Sequence, residues 1–482
     1  MTVEDPDVPP RVPATRDLRL VLPTLAVLVA TTATFGLRPA LSVAVAVVLV
    51  GAAVVATVWA LVGGTRIGVD RTALGMLTVI LVTGAVAAGS QAARVHAVAA
   101  HPLPAMVGQR TGVEGVVTGF DRPVRSGGVM VPIRVEVAGS GRNATEAELD
   151  MVLLASDGWR GLPPGTRVRA SVSVLEPMTA GDLPVLRALT PPKVIGEPGL
   201  SGRLPAGVRE RFREVSARAL RGESVGLLPS FVLGDEGGVS TRTRDEFRAA
   251  GLSHLAAVSG ANTTYVVGAV LLSAAALGVG RRGRIVTAAV ALAAFVTVVG
   301  PEPAVLRAAG TGAIGLAALA AHRTGRPLAA LAAIVMLVSV LDPATATGAG
   351  FTLSVAATAA LVLAARPVAQ WLRQPRLGRE WFPGRVADVV AVCIVAHLAT
   401  LPVLIVSGLE SGPWALPANI AVAPAVPMVT VLGTLAAAVG PVWEEGAVLL
   451  AAACAPALWW LDAVAGVVAS LPGSPRFEPA GA

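Results

Sequence analysis

The stretch FVLGDEGGVSTRTRDEFRAAGLSHLAAVSGANTTYVV, Phe231 to Val267, decides the reading of this chain. A short apolar run ends in Gly234-Asp235, a charged amphipathic piece covers Thr241 to Ala250, and Gly251-Leu252-Ser253-His254-Leu255 follows. Ser259-Gly260-Ala261-Asn262 then opens a long apolar stretch. Neither a plain membrane span nor a soluble loop needs that mixture. His254, Ser259 and Asn262 sit where hydrocarbon should begin, and polar groups there are costly unless they face protein or water. They are candidate site residues for that reason, with Asp235 at the preceding turn.

The composition around this stretch sets the class. The 482 residues are 54% hydrophobic and 14% charged, with a mean hydropathy of +0.70. A soluble protein of this size is far more polar, so the chain is a polytopic membrane protein. The net charge of +7 comes almost wholly from arginine, Lys193 being the only lysine. It fits basic loops at a membrane surface and does not by itself imply phosphate binding. Cys393 and Cys454 both lie in apolar runs and read as free thiols. The first apolar run has no clear cleavage site and leads straight into a second, so no cleavable signal is expected.

Before the central stretch, residues 1–17 are polar and Pro-rich and read as a disordered cytoplasmic tail. Apolar runs at about Leu18–Gly36, Ala40–Val62 and Thr72–Ala93 give three crossings over residues 18–94, each close to the ~20 residues that span a ~30 Å hydrocarbon core. Residues 104–198 alternate with period two, as in Val131-Pro132-Ile133-Arg134-Val135-Glu136-Val137 and Val168-Arg169-Ala170-Ser171-Val172-Ser173-Val174. With turn clusters between them, about five short strands form a small β-barrel, most simply an OB-like one. A strand-binding barrel needs stacking aromatics on a basic groove. Here Phe120 and Trp159 are the only aromatics and acids nearly balance arginines, which leaves both nucleic-acid contact and a structural role open.

Residues 203–250 hold an amphipathic helix and a re-entrant segment. Val208, Phe212, Val215 and Ala219 fall on one helical face, with Arg209, Arg211, Arg213, Arg218 and Arg221 on the rest. That helix either lies on the bilayer or forms a basic collar at a channel mouth. Val225–Gly234 is too short to cross and contains Pro229. Residues 251–471 then carry eight apolar runs, at about Leu255–Gly278, Ile285–Gly300, Ala304–Ala321, Leu328–Leu341, Phe351–Ala365, Val386–Val406, Pro413–Val439 and Ala447–Leu471, with 472–482 as a tail. The expected fold is mainly α, a transmembrane helical bundle of about 11 crossings, some broken, with the barrel as an extracytoplasmic insertion. Charge supports the sidedness. Arg281-Arg282-Gly283-Arg284, Arg323 with Arg326, and the five arginines of 366–385 fall on one side, while Glu302, Asp342 and Glu410 fall on the other. By the positive-inside rule the N-terminus is cytoplasmic, and the barrel and C-terminus are extracytoplasmic.

The polar residues within the apolar part each have two readings. Asp235 and His254 form a polar pair at the outer mouth, or His254 bonds a local carbonyl at a helix start. Ser259-Gly260 breaks a helix and lets backbone approach closely, or packs helices through small residues. Arg307 lies about five residues inside its run, where arginine costs on the order of 3 kcal/mol. It snorkels, pairs with Glu302, or lines a wet path. Asn419 with Pro417, Pro424 and Pro427 marks a broken helix, of the kind that frames translocation paths, or a tolerated kink.

Gly234-Asp235, Phe247 to His254 and Ser259-Gly260 together resemble the signature of the ComEC competence family, the bacterial channel proteins for DNA uptake. The resemblance extends to Arg307-Ala308 after Gly300-Pro301, to Asp342-Pro343 with Gly350-Phe351-Thr352-Leu353-Ser354, to Thr400-Leu401-Pro402, and to Asn419 with Pro424. Weak singly, these motifs are specific in this order, and together with the barrel-like domain the match covers roughly residues 18–470. Asn262 stands where the family usually has His. Longer members carry a C-terminal metallo-β-lactamase-like domain. This sequence has five His and no H-x-H cluster, so metal-dependent cleavage is not expected, nor is any cofactor.

The resemblance implies an inner-membrane channel that passes single-stranded DNA into the cytoplasm during natural transformation, and not an enzyme. No P-loop pattern is present, so the chain is expected to supply no ATP-driven force, and the resemblance implies a cytoplasmic ATP-driven motor, an extracytoplasmic DNA receptor and a separate nuclease as partners. Membrane lipid surrounds the chain, and homo-oligomerisation stays open. Channel-path candidates are Asp235, His254, Ser259, Gly260, Asn262, Arg307 and Asn419. Gly234, Gly251, Gly350, Phe351, Ser354 and Pro402 are structural positions of the motif. Two other classes remain: a small-molecule or lipid transporter, and an intramembrane hydrolase using Ser259 or His254, which lacks a base–nucleophile–orienter set.

Overall fold

A computed structural model of the chain describes residues 47–49, 51–52, 71–101, 103–124, 127–139, 145–176, 184–256, 260–300, 303–321, 327–374, 384–406 and 412–475. The first two expected crossings and the N-terminal tail lie almost wholly outside the described residues. The third lies inside α1 (Arg71–Ala100).

The alternating region folds as expected of its pattern. Strands β1 (Arg110–Val117), β2 (Arg122–Pro123), β3 (Val129–Ala138), β4 (Thr145–Ala155), β5 (Arg167–Leu175), β6 (Val185–Ala188) and β7 (Lys193–Gly196) follow in order. Five of them close a barrel, β1-β3-β4-β6-β5 and back to β1, while β2 adds to β3 and β7 to β5. Only the β4–β6 pairing, Leu153 opposite Leu186, is parallel. Alternate residues point inward and fill the barrel: Val113, Val117, Val131, Ile133, Val135, Leu153, Val168, Val172 and Val174 are all buried with Trp159. Period-two patterning thus becomes a closed core with a polar outside.

Helix α2 (Leu200–Ala219) leads from the barrel into the helical part. Its buried stripe is Gly202, Pro205, Arg209, Phe212, Val215 and Ser216. The face is rotated from the expected one: Val208 and Ala219 are half-buried, and Arg209, placed on the polar side by the sequence pattern, is inside. Next come α3 (Ser224–Leu233), α4 (Thr241–Ala249) and α5 (Ser253–Ala256). In α3 every residue from Gly226 to Leu233 is buried, so the segment too short to span is the centre of the packing rather than a surface piece. The largest core cluster surrounds it, with Phe212, Leu227, Leu228, Phe231, Phe247, Leu252, Val429, Leu458 and Leu461. The Phe231 and Phe247 rings meet edge to face, with centroids 5.9 Å apart.

The remainder is helical: α6 (Gly260–Ala276), α7 (Arg281–Val299), α8 (Pro303–Ala320), α9 (Pro327–Leu341), α10 (Pro343–Thr347), α11 (Ala349–Arg373), α12 (Gly384–Val406), α13 (Ala415–Val422), α14 (Ala425–Val439), α15 (Glu444–Ala453) and α16 (Ala455–Ser470). Helical units occupy all eight expected apolar runs, but the count of about 11 crossings is not reproduced. Among the described residues, α7, α11 and α12 are long and apolar enough to cross a membrane, or up to five spans if each bent pair, α13 with α14 and α15 with α16, is one span. Two of the expected crossings lie almost wholly outside the described residues, and several later helices are short: at 1.5 Å per residue, α9 extends only about 22 Å against a ~30 Å core. Exposed Leu272, Val290, Val406, Leu449 and Trp459 line the outside of these helices, as lipid contact requires.

Candidate functional site

The motif residues do not gather in one pocket. They sit at joints between elements, and each joint has its own chemistry.

The first joint follows α3. Gly234 ends the helix in the left-handed region, φ 68°, which glycine adopts without a Cβ penalty. Asp235 is buried; its Oδ2 accepts from Arg213 Nε at 2.6 Å and its Oδ1 from the Gly237 backbone N–H at 3.3 Å. Arg209 lies beside this pair. Its Nε donates to the Val298 carbonyl at 2.9 Å, and its Nη2 donates to the Leu233 and Val299 carbonyls, each at 2.6 Å. These are terminal carbonyls of α3 and α7, the negative ends of both helix dipoles. The guanidinium also stacks 3.6 Å from the centroid of the Phe120 ring, which belongs to the barrel. Burial pulls the Arg209 pKa down to about 10, so it is still a cation at neutral pH. One side chain thus ties the barrel, the end of α3 and the end of α7 together, and residue periodicity alone gave no sign of it. The other arginines of α2 are engaged as well: Arg211 and Arg218 both bond Glu444 at the start of α15.

At the second joint the expected Asp235–His254 pair does not form. Asp235 faces Arg213, and His254 bonds the Gly251 carbonyl, the local reading. Gly251 has φ 68°. Its carbonyl also receives Asn419 Nδ2 at 3.4 Å, while the same amide donates to Ala415 O at 2.8 Å within α13. Asn419 therefore joins the broken C-terminal pair to the signature turn. Asn262 is 3% exposed; its Nδ2 donates to Phe231 O at 2.9 Å and its Oδ1 accepts from Thr430 Oγ1 at 3.3 Å. An amide meets both demands at once, donor toward α3 and acceptor toward α14. Ser259 lies outside the described residues.

The third joint brings together motifs far apart in the chain. Arg307 on α8 is 6% exposed, and its Nε donates to Ser354 Oγ on α11 at 2.6 Å. A Cβ on Gly260, at the start of α6, would collide with Arg307 Nη2. Gly260, Arg307 and Ser354 therefore meet at one place. Gly350 opens α11 exposed, and Phe351 packs with Leu331 and Val335 in a small core. Asp342 caps α10 through Thr345 N at 3.2 Å. Pro402 lies inside α12. These last four read as structural.

The barrel surface is electrically balanced. Arg134 pairs with Asp150 at 2.8 Å, Arg167 with Glu136 at 2.8 Å and Arg169 with Glu114 at 2.6 Å. Its two aromatics are occupied: Phe120 lies under Arg209, and buried Trp159 donates Nε1 to Thr190 O at 3.1 Å. Among the described residues no three His, Cys, Asp or Glu side chains form a group that could hold a metal ion. Cys393 and Cys454 are free thiols.

A family model described as Competence protein matches residues 231–479, just over half of the chain. It begins at the signature stretch and contains all three joints, except for the barrel and α2 residues that brace the first. No curated protein and no solved structure matches the chain.

Proposed function

The chain belongs to the Competence protein family, and on that premise we propose that it is the inner-membrane conduit passing single-stranded DNA into the cytoplasm during natural transformation. Family membership points to DNA uptake. The observation that supports a conduit is the broken architecture of the matched region. Its C-terminal pairs bend by 53° and 41° within apolar sequence, and short helices α3 and α5 end beside polar joints. Backbone interrupted at membrane depth is tolerated where it is buried in protein or lines a wet cavity.

In this reading the barrel is OB-like and extracytoplasmic, and serves as a brace: Arg134, Arg160, Arg167 and Arg169 are paired with carboxylates and its aromatics are spent on packing. α7 supports the sidedness. Its first residues are Arg281, Arg282 and Arg284, and its last turn meets the barrel at Phe120 through Gly300. The basic end and the barrel are thus about 28 Å apart along one helix. DNA and membrane lipid are direct partners; an extracytoplasmic receptor, a cytoplasmic motor and a separate nuclease complete the system. The chain itself acts as a channel rather than an enzyme.

The test is uptake of labelled DNA in a strain lacking the protein, with and without the intact chain restored. Loss of nuclease-protected label, with surface binding retained and uptake recovered on complementation, is the expected result. Uptake that continues in the deletion strain would refute the proposal.

A further inference from the structure

The third joint carries a consequence for what moves through the conduit. Arg307 is a guanidinium on an apolar helix, and its partner among the described residues, the Ser354 hydroxyl through Nε, is neutral. Among the described residues no carboxylate pairs with it; Glu302, the partner offered by the sequence, lies outside the described residues. The hydroxyls one turn away are spent on their own helices: Thr311 Oγ1 donates to Arg307 O at 3.0 Å, and Thr358 Oγ1 donates to Ser354 O at 2.8 Å. A buried cation without a counter-charge is among the most expensive arrangements in a protein interior. Yet Ser354 fixes the Nε edge and so turns the Nη edge of the planar fork toward Gly260. Either two-nitrogen edge of a guanidinium can grip a phosphate with two parallel bonds, and with Nε taken by Ser354 the Nη1–Nη2 edge is the one left. Gly260 has no side chain there, and Nη2 lies in the space that a Cβ would fill. The α11 wall is also unsealed: every residue from 352 to 361 is half-buried, none closed off and none fully exposed.

We propose, resting on the conduit reading, that Arg307, set by Ser354 and faced by Gly260, is a phosphodiester-binding site that supplies a fixed cation to the backbone of the passing strand. A single such site suits passage, since one phosphate contact holds the strand only briefly and is indifferent to base sequence.

The experiment uses the full chain in lipid nanodiscs, titrated with a short fluorescent oligodeoxythymidylate over a series of salt concentrations. Arg307→Gln is expected to weaken binding on the order of tenfold and to make the dependence of log K on log salt shallower by about 0.7, the share of one phosphate on a single strand. Arg307→Lys keeps the charge and most of the salt slope but loses the fork, so its affinity falls between. Gly260→Ala keeps the charge and displaces only the flexible end of the guanidinium. It is expected to weaken binding with the fold intact, and it carries the comparison if Arg307→Gln does not fold. If the intact chain binds and both Arg307→Gln and Gly260→Ala match it in affinity and slope, the site is overturned and the conduit reading survives. If the intact chain binds no oligonucleotide, both fall. If short-chain phosphatidylglycerol binding depends on Arg307 while oligonucleotide binding does not, the phosphodiester belongs to lipid, and the strand site is overturned.

Discussion

A guanidinium is among the hardest side chains to remove from water, and Arg209 and Arg307 are both removed from it. They are compensated differently. Arg209 spends its donors on three helix-terminal carbonyls and its face on Phe120, which makes it a structural cation. Arg209→Gln is expected to lower stability on the order of 3 kcal/mol, seen as a reduced melting temperature of the detergent-solubilised chain. Arg209→Lys should recover only part of this, because an ammonium cannot reach three acceptors and stack at once; an unchanged melting temperature in Arg209→Gln would refute the role. Glu236, at the same seam, has its carboxyl pushed above the ordinary carboxylate range by burial, against the pull of Arg122, Arg244 and Arg248. A carboxyl with a raised pKa in the folded state has its proton held more tightly there than in the unfolded chain, so stability falls as pH rises through that range. Glu236→Gln should therefore be more stable than the parent at neutral pH, with the gain vanishing below about pH 4. A gain that persists in acid would trace the effect to something other than the charge. Single-residue chemistry was partly legible in the sequence. Asn262 and Arg307 stood out because polar groups in apolar runs demand an explanation, but their partners lie on other helices and no spacing rule gives them. Arg209 did not stand out, because an arginine on an amphipathic helix reads as solvated until packing turns it inward.

Among the elements, the barrel was the most legible, since alternation, turn clusters and strand length all agree. Helix α2 shows how a small rotation matters. Its buried stripe includes Arg209 and Ser216 in place of Val208 and Ala219, because the helix packs against the ends of other helices rather than on a flat apolar surface. The signature turn is an element-level device too. Gly251 combines φ 68° with Ala415 Cβ only 2.5 Å from where its own Cβ would stand. Gly251→Ala is therefore expected to cost about 1–3 kcal/mol from strain and crowding together, and to separate α13 from the turn that His254 and Asn419 share. Lower yield of folded protein in gel filtration is the readout; a variant with parental yield and melting would show that the turn tolerates a side chain.

On the scale of the whole molecule, the eight later helical units were visible as apolar runs, but the number that crosses was not. Hydropathy marks where a helix is apolar, whereas spanning depends on length and bending; Pro417, Pro424 and Pro427 announce the break between α13 and α14, which bend by 53°, but the sequence reading gives no sign of the 41° bend between α15 and α16. Sidedness rests on charge and on α7. With Cys393 and Cys454 replaced by Ala, an introduced cysteine at Glu148 on the barrel is expected to react with an impermeant reagent on intact cells. One at Arg282 should react only after the membrane is opened, and the reverse pattern would invert the topology. The joint at Arg209 also sets an order of events during synthesis. It unites Phe120, Leu233 and Val299, so it cannot close until the ribosome has passed residue 299. The barrel, with a core of its own, can fold as soon as it emerges, and then waits unfastened while α3 and α7 are completed. A nascent chain halted before α7 is complete therefore carries a finished barrel that nothing yet fastens to α3, and the closing of one arginine over one ring is the step at which the two halves become one.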